Sequence, residues 1–217
     1  NILKKNTKSI KINGTSKKII KIFGKNNLQP LKMDVPSDPS SAAFFTALTL
    51  LNKDSKLIIK NVGLNPTRIG FYKLLKAQGS HIKFKNLKNI NKEVIGDIYV
   101  KSSKMKPIKA SKKYYVNSTD EYPILFVIAA LTNGISIFEG ISDLANKESN
   151  RIKEMQNILR QIGIKSIATK DKFKIFGKKD LNFRNRKIYV PNLGDHRICM
   201  SSFILSILTG VRANIKN

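Results

Sequence analysis

The chain has 217 residues, of which 41% are hydrophobic, so it can bury one sizeable core and the edge of a second. It has no run approaching the roughly 18 apolar residues of a membrane-spanning helix and starts without a signal-peptide pattern, which predicts a cytoplasmic protein without a membrane partner. One cysteine and two histidines exclude an internal disulfide and predict no metal site, whereas the formal net charge of +27 is compatible with an anionic partner.

The part of the chain before Pro36 has the pattern of short basic strands and shows no helix of its own. The predicted elements are strands at 9–12 and 18–23 and a turn at Asn13 and Gly14. After Pro36 the sequence changes to helix-capping residues followed by an apolar run. We therefore predict a boundary that divides the chain into residues 1–35 and 36–217.

A unit of buried helix, strand, polar loop and amphipathic helix recurs after this boundary. The first copy comprises residues 42–51, 56–60, 65–68 and 71–78, and the second comprises residues 123–131, 135–138, 146–149 and 152–162. Each copy ends at a glycine, Gly79 or Gly163, and these typical helix stops lie 84 residues apart. A third copy opens with a predicted helix at residues 195–208.

After that third helix the sequence continues through Thr209 and Gly210 and ends seven residues later. A repeat cut after its first helix would leave an apolar face without its covering strand, so we expect an incomplete chain. The alternative is a native terminus with a shortened repeat.

Asp120 is the first of several charged residues placed immediately before an apolar run, here residues 123–131. A carboxylate at such a boundary commonly caps the helix. The functional alternative is a general base held at the mouth of a cleft.

Lys147, Glu148 and Arg151 precede the helix predicted at 152–162. The two cations are four residues apart and share a helix face, next to a helix N-terminus whose N–H groups and dipole favour anions. The segment is therefore either a phosphate or carboxylate site or a solvated charged turn.

Arg197 precedes the third predicted helix as Arg151 precedes the second, so repeat symmetry brings both toward a common point. Otherwise Arg197 is an ordinary surface residue. Its neighbour His196 is a candidate proton carrier near neutral pH or a hydrogen-bonded structural residue.

Five short segments are more specific together than any one of them alone. They are DVPSDPSSAAFF (34–45), NPTRIG (65–70), DEYPIL (120–125), KESNR (147–151) and DHRICM (195–200). In this order they resemble the signature segments of the EPSP synthase family of enolpyruvyl transferases. The resemblance implies an α/β (α+β) fold of repeated βαβαββ units with buried helices, outer sheets and substrates between two domains. Residues 1–35 would be a remnant of the first domain and 36–217 most of the second, with Ser40 and Ser41 as hinge and helix-start residues.

The family transfers the enolpyruvyl group of phosphoenolpyruvate to the 5-hydroxyl of shikimate 3-phosphate and releases phosphate, a shikimate-pathway step toward chorismate and the aromatic amino acids, without metal or cofactor. The resemblance implies that Asp120 contacts the shikimate hydroxyls as a base and that Lys147 binds the same substrate. Glu148 would handle the proton at the enolpyruvyl methylene. Arg151 and Arg197 would clamp phosphoenolpyruvate, because two guanidinium forks match its carboxylate and phosphate.

Two positions depart from the family pattern, Ser37 in place of Gly and Asn150 in place of Asp. The charge lost at Asn150 predicts a looser orientation of Arg151. Family residues of the first domain would precede Asn1, so we expect this chain alone to lack transferase activity. The complete protein is expected to be a monomer.

Two other functions are compatible with the sequence. The sister enolpyruvyl transferase that acts on UDP-N-acetylglucosamine shares the repeat fold and phosphoenolpyruvate. A basic nucleic-acid-binding module would account for the charge. However, only 7 of the 41 basic residues are arginine and the lysines are scattered, so we predict no nucleic-acid partner.

Overall fold

A computed structural model of the chain describes residues 7–12, 15–20, 34–90, 93–179 and 182–216. The chain divides into two compact units, residues 1–35 and residues 36–217. In the first unit, β1 (Thr7–Ile12) and β2 (Thr15–Ile20) pair as antiparallel strands.

The strand predicted at 9–12 lies within β1, and β2 includes the beginning of the strand predicted at 18–23. The rest of that second prediction, from residue 21 onward, lies outside the described residues, as do Asn13 and Gly14.

The described part of the second unit contains five α-helices and nine strands. The helices are α1 (Pro39–Leu51), α2 (Gly70–Ala77), α3 (Tyr122–Ala130), α4 (Arg151–Gln161) and α5 (His196–Thr209). The strands are β3 (Lys56–Gly63), β4 (Ile82–Ile90), β5 (Glu93–Lys101), β6 (Lys109–Ala110), β7 (Gly134–Glu139), β8 (Ser166–Ala168), β9 (Lys172–Gly177), β10 (Lys187–Val190) and β11 (Arg212–Ile215). All five helices predicted from the sequence are present. Among the described residues, no helix is long and apolar enough to cross a membrane.

The three sheets of this unit share a parallel contact between the segments before and after a helix. Their strand orders are β3-β5-β4, β6-β7-β9-β8 and β10-β11. A parallel contact precedes each helix crossover: Ser37 bridges to Val62, β6 pairs with β7, and β10 pairs with β11. The run β6-α3-β7-α4-β8-β9 is therefore one full βαβαββ unit, and the sequence repeat is a structural repeat.

Helix α3 lies at the centre of the core, with all of its residues buried, as its uninterrupted apolar sequence predicts. It contacts both α1 and α5. The Phe126 ring packs edge-on against Phe138 of β7 and Phe173 of β9, with centroids 4.9 and 4.8 Å away. Such aromatic pairs add roughly 0.5–1.5 kcal/mol beyond area burial.

Helix α5 is less buried than the sequence predicted. Ile204 and Leu205 face the core, but Phe203 is 56% and Ile207 49% exposed. No element within the described residues covers that outer side. The chain also differs from the prediction after Gly210, because β11 follows the helix and pairs with β10, and neither strand was foreseen.

Candidate functional site

Carboxylates stand at the N-termini of α1, α3 and α5, where the repeat brings the three buried helices together. Asp38 caps α1 by accepting from the Ser41 N–H at 2.8 Å. Asp195 caps α5 by accepting from the N–H groups of Arg197 and Ile198. Free N–H groups and the helix dipole stabilise negative charge at such positions. Before α3 the cap position is held by Glu121, and Asp120 lies one residue earlier in a short 3-10 turn (Thr119–Glu121).

Arg151 is the largest fully buried side chain near these termini, at 1% exposure. Its Nε donates to Asp195 Oδ2 at 2.9 Å, and its Nη2 donates to Glu148 Oε2 at 2.6 Å. The Ser149 hydroxyl also donates to Asp195 Oδ2, at 2.9 Å. A buried guanidinium requires such pairing, because an uncompensated charge in the interior costs several kcal/mol.

Asp120 lies between the two arginines predicted to converge. Its Oδ1 is 3.6 Å from Arg151 Nη1, and its Oδ2 is 3.6 Å from Arg197 Nη2. These are ion pairs longer than a hydrogen bond. The carboxylate therefore pairs with side-chain cations, and the helix-cap interpretation does not describe its contacts.

Each of the two arginines has one buried guanidinium nitrogen that makes no hydrogen bond within the described residues. Nη1 of Arg151 and Nη1 of Arg197 are buried and have no hydrogen-bond partner among the described residues, since the contact of Arg151 Nη1 with Asp120 Oδ1 is a long ion pair of 3.6 Å. Buried donors are almost always hydrogen-bonded in folded proteins, so two neighbouring exceptions indicate a place for an acceptor. An anionic oxygen is the acceptor that guanidinium groups bind best.

Asp195 remains ionised beside Arg151. Burial alone would raise the pKa of Asp195, but hydrogen bonds from Arg151 and Ser149 outweigh it and hold the pKa below its usual range. Asp195 is therefore a fixed negative charge that orients Arg151 while it caps α5.

Glu121, next to Asp120, behaves in the opposite way. The residue is only 3% exposed, and burial raises its pKa to about 7. The negative charge of Asp120 adds to this rise, and a hydrogen bond from Ser40 opposes it. Glu121 thus changes its charge near neutral pH.

Lys147 approaches the site from the side of a small cavity of about 190 Å³. Its Nζ pairs with Asp143 Oδ2 at 2.8 Å, and the Tyr115 hydroxyl donates to the same oxygen at 2.9 Å. Asp120 and Arg68 line the same cavity. The cavity therefore combines hydroxyl, carboxylate and cationic groups, which are suited to a small polar ligand.

The structure brings together most of the residues singled out in the sequence. Asp120, Glu148, Arg151 and Arg197 form one ion network, and Lys147 lines the adjoining cavity. The remaining candidate, His196, is exposed in the first turn of α5, and its predicted role as a proton carrier stays a prediction.

Asn150 has a different role from the one expected. Its Oδ1 accepts from the Lys153 N–H at 3.0 Å and caps α4. Arg151 is fixed instead by Asp195 and Glu148, so the predicted loosening finds no support in its contacts.

Three residues of the site were missed in the sequence: Asp195, Glu121 and Arg68. Asp195 stands immediately before an apolar helix, a position typical of a helix cap, and its charge was not singled out. Arg68 donates from Nη2 to Ser40 Oγ at 3.3 Å and lies 3.5 Å from Asp38. Its position before an amphipathic helix, like that of Arg151, was an available signal. Within the described residues, no group of three or more His, Cys, Asp or Glu side chains is arranged to hold a metal ion.

The family model described as EPSP synthase (3-phosphoshikimate 1-carboxyvinyltransferase) matches residues 1–217. Curated proteins named 3-phosphoshikimate 1-carboxyvinyltransferase are 37% identical in Zymomonas mobilis, over 194 residues, and 37% identical in Persephonella marina, over 199 residues. These alignments cover 88% and 91% of this chain but 43% and 45% of the relatives. The chain thus spans less than half the length of these relatives.

Solved structures give the same picture. EPSP synthase from Acinetobacter baumannii is similar with a TM-score of 0.78 and 30% identity, covering 98% of this chain and 47% of that one. The enolpyruvyl transferase NikO from Streptomyces tendae has a TM-score of 0.70 over 98% of this chain and 46% of its own. At 13% identity, that second likeness shows the fold alone.

Proposed function

This chain belongs to the EPSP synthase family, and we propose that it forms part of the site that transfers the enolpyruvyl group of phosphoenolpyruvate to the 5-hydroxyl of shikimate 3-phosphate. The convergence of Arg151 and Arg197 on Asp120, each with a buried Nη1 that has no hydrogen-bond partner among the described residues, is the observation that supports this most. Residues 36–217 would be most of the family's second domain, and residues 1–35 the end of its first.

The proposed binding of phosphoenolpyruvate uses the two guanidinium groups. Its carboxylate and phosphate present pairs of oxygens, which match the parallel N–H groups of arginine. Arg151 is held by Asp195 and Glu148 before any ligand arrives, so little side-chain entropy is lost on binding. Arg197 is less constrained, because among the described residues its guanidinium forms only the long ion pair to Asp120.

The proposed chemistry balances without a metal or cofactor. Asp120 accepts the proton of the 5-hydroxyl while the hydroxyl oxygen bonds to C2 of phosphoenolpyruvate. Glu148 handles the proton that C3 takes up. Removal of a C3 proton and loss of phosphate then restore the double bond. Lys147, on the cavity wall beside Asp120, would bind the shikimate substrate. General acid–base groups of this kind contribute roughly 10²–10⁴-fold.

The test is phosphate release from shikimate 3-phosphate and phosphoenolpyruvate by the chain in its full-length context. Asp120→Ala and Arg197→Ala should each lower kcat/KM by at least about a hundredfold. Arg197→Lys keeps the charge but loses the fork and should recover only part of the activity. Arg160→Ala is the matched control, because Arg160 is an exposed arginine on α4 bonded to Asn157.

Two results would contradict the proposal. One is a full-length enzyme indifferent to Asp120→Ala and Arg197→Ala. The other is turnover with UDP-N-acetylglucosamine in place of shikimate 3-phosphate, which would favour the sister transferase. Assayed alone, this chain is expected to release no phosphate, because it spans less than half the length of the curated relatives and the reaction would need groups from both domains. Misplacing such groups by about 1 Å already lowers the rate on the order of a hundredfold.

A further inference from the structure

Glu121 is a buried carboxyl that the proposed reaction does not use. It ends the 3-10 turn that carries Asp120 and is 3% exposed, immediately before α3. Buried Glu residues are rare unless paired, so its surroundings call for an explanation.

A short hydrogen-bonded chain leads to this carboxyl from the cavity. Arg68 Nη2 donates to Ser40 Oγ at 3.3 Å, and the Ser40 hydroxyl donates to Glu121. Ser40 is itself 1% exposed, in the first turn of α1. Glu121 is therefore linked to an arginine through a fixed hydroxyl rather than paired with it directly.

The charged groups that face Glu121 come from each element around it. Asp120 adjoins it on its own turn, Arg197 approaches from α5, and Arg68 from the turn before α2. Burial raises the pKa of Tyr72 of α2 well above its usual range, and the negative charge of Glu121 adds to this rise, so Tyr72 stays neutral. Glu121 thus shares Arg197 with Asp120.

We infer that Glu121 is a positioning residue that sets, through its own charge, how strongly Arg197 holds an anion. The inference rests on the proposed function of these arginines. When Glu121 is ionised, its charge partly compensates Arg197 and repels an incoming anion. When Glu121 is protonated, less negative charge faces Arg197, which is then more available to the ligand. Burial raises the pKa of Glu121 to about 7, so both states are accessible near neutral pH.

Calorimetric titration of this chain with sulfate tests the inference, because sulfate keeps one charge state over the relevant range. Measurements at about pH 5.5 and about pH 8.5 bracket the pKa of Glu121. The wild type should bind about three- to tenfold more tightly at the lower pH, as expected for one nearby charge under partial screening. Glu121→Gln should bind with the tighter affinity at both values.

Three further variants separate this effect from others. His196→Gln should keep the pH dependence, which excludes the neighbouring histidine as its source. Glu139→Gln removes an exposed carboxylate that pairs with Lys172 and should change nothing. Ser40→Ala should move the midpoint of the pH dependence upward, because the hydrogen bond from Ser40 lowers the pKa of Glu121. This shift is a second test should Glu121→Gln fail to fold.

The outcomes distinguish the inference from the proposed function. If the wild type binds no sulfate, or Arg197→Ala binds it equally well, the anion site fails and the inference fails with it. If sulfate binds through Arg197 but Glu121→Gln keeps the wild-type pH dependence, or Ser40→Ala leaves the midpoint in place, the inference alone is overturned.

Discussion

Asp195 and Asp38 offer a direct comparison between a buried and an exposed helix cap. Both accept backbone N–H groups at a helix start, and both contact an arginine. The Asp195–Arg151 pair is buried at 0% and 1% exposure, whereas the Asp38–Arg68 pair is exposed at 44% and 54%. Replacing each by alanine therefore removes the same kind of cap but takes a partner away from a buried charge in only one case.

The expected cost follows from these contacts. Losing an Asp cap costs roughly 1 kcal/mol, and the exposed ion pair of Asp38 adds only a few tenths. Removing the partner of a buried arginine destabilises a protein by about 3–5 kcal/mol. Arg151 keeps Glu148 and the long contact to Asp120, so we expect the loss of the ion pair alone to cost about 2–3 kcal/mol. We expect Asp38→Ala to cost about 1 kcal/mol and Asp195→Ala about 3–4 kcal/mol.

Urea unfolding of both variants, with an unchanged m-value, measures the difference. Asp195→Asn keeps a good capping side chain but loses the charge, so it should retain most of the larger cost. Salt should leave the Asp195 effect unchanged, because buried pairs are little screened. An Asp195→Ala cost no larger than that of Asp38→Ala would refute the claim that Asp195 compensates Arg151.

Two further predictions concern the core and the titrating carboxyl. Folding raises the pKa of Glu121 from 4.5 to about 7, so the native state keeps a proton that the unfolded chain loses, and stability falls as pH rises through this window. The fall should reach up to about 3 kcal/mol and be absent in Glu121→Gln, as followed by urea unfolding at several pH values. Phe126→Ala should cost about 3–5 kcal/mol, because its buried ring packs between two others, whereas Phe203→Ala, at 56% exposure, should cost about 0.5 kcal/mol or less. Similar thermal midpoints for these two variants would contradict the burial assigned to α3 and α5.

The sequence was most informative where a pattern is local and long. The unbroken apolar run at 123–131 predicts a helix with no solvent face, and α3 is buried throughout. Gly79 and Gly163 were predicted as helix stops and have φ values of 85° and 82°. Strands β10 and β11 escaped prediction because each is four residues long and is defined only by pairing with the other.

In the site, too, local sequence patterns predicted some features, and contacts distant in the sequence determined the others. Arg151 and Arg197 were predicted to converge because both precede repeat helices. Asp195 was missed as a partner because it bonds Arg151 across 44 residues of chain, a contact that no spacing rule reports. The pKa of Glu121 depends on burial beneath other elements, which its neighbours in sequence do not reveal.

The most direct test of the account is to locate where phosphoenolpyruvate binds on this chain, by following its arginine and lysine side-chain NMR signals during titration. We predict that the guanidinium signals of Arg151 and Arg197 shift first. A groove of about 540 Å³ elsewhere on the unit, lined by Lys53, Lys104 and Lys179, serves as the internal reference for general attraction to a basic protein. Those lysine signals should stay in place until much higher concentrations. Equal shifts at the groove and at the arginines, or shifts unchanged by Arg197→Ala, would contradict the assignment of the anion site.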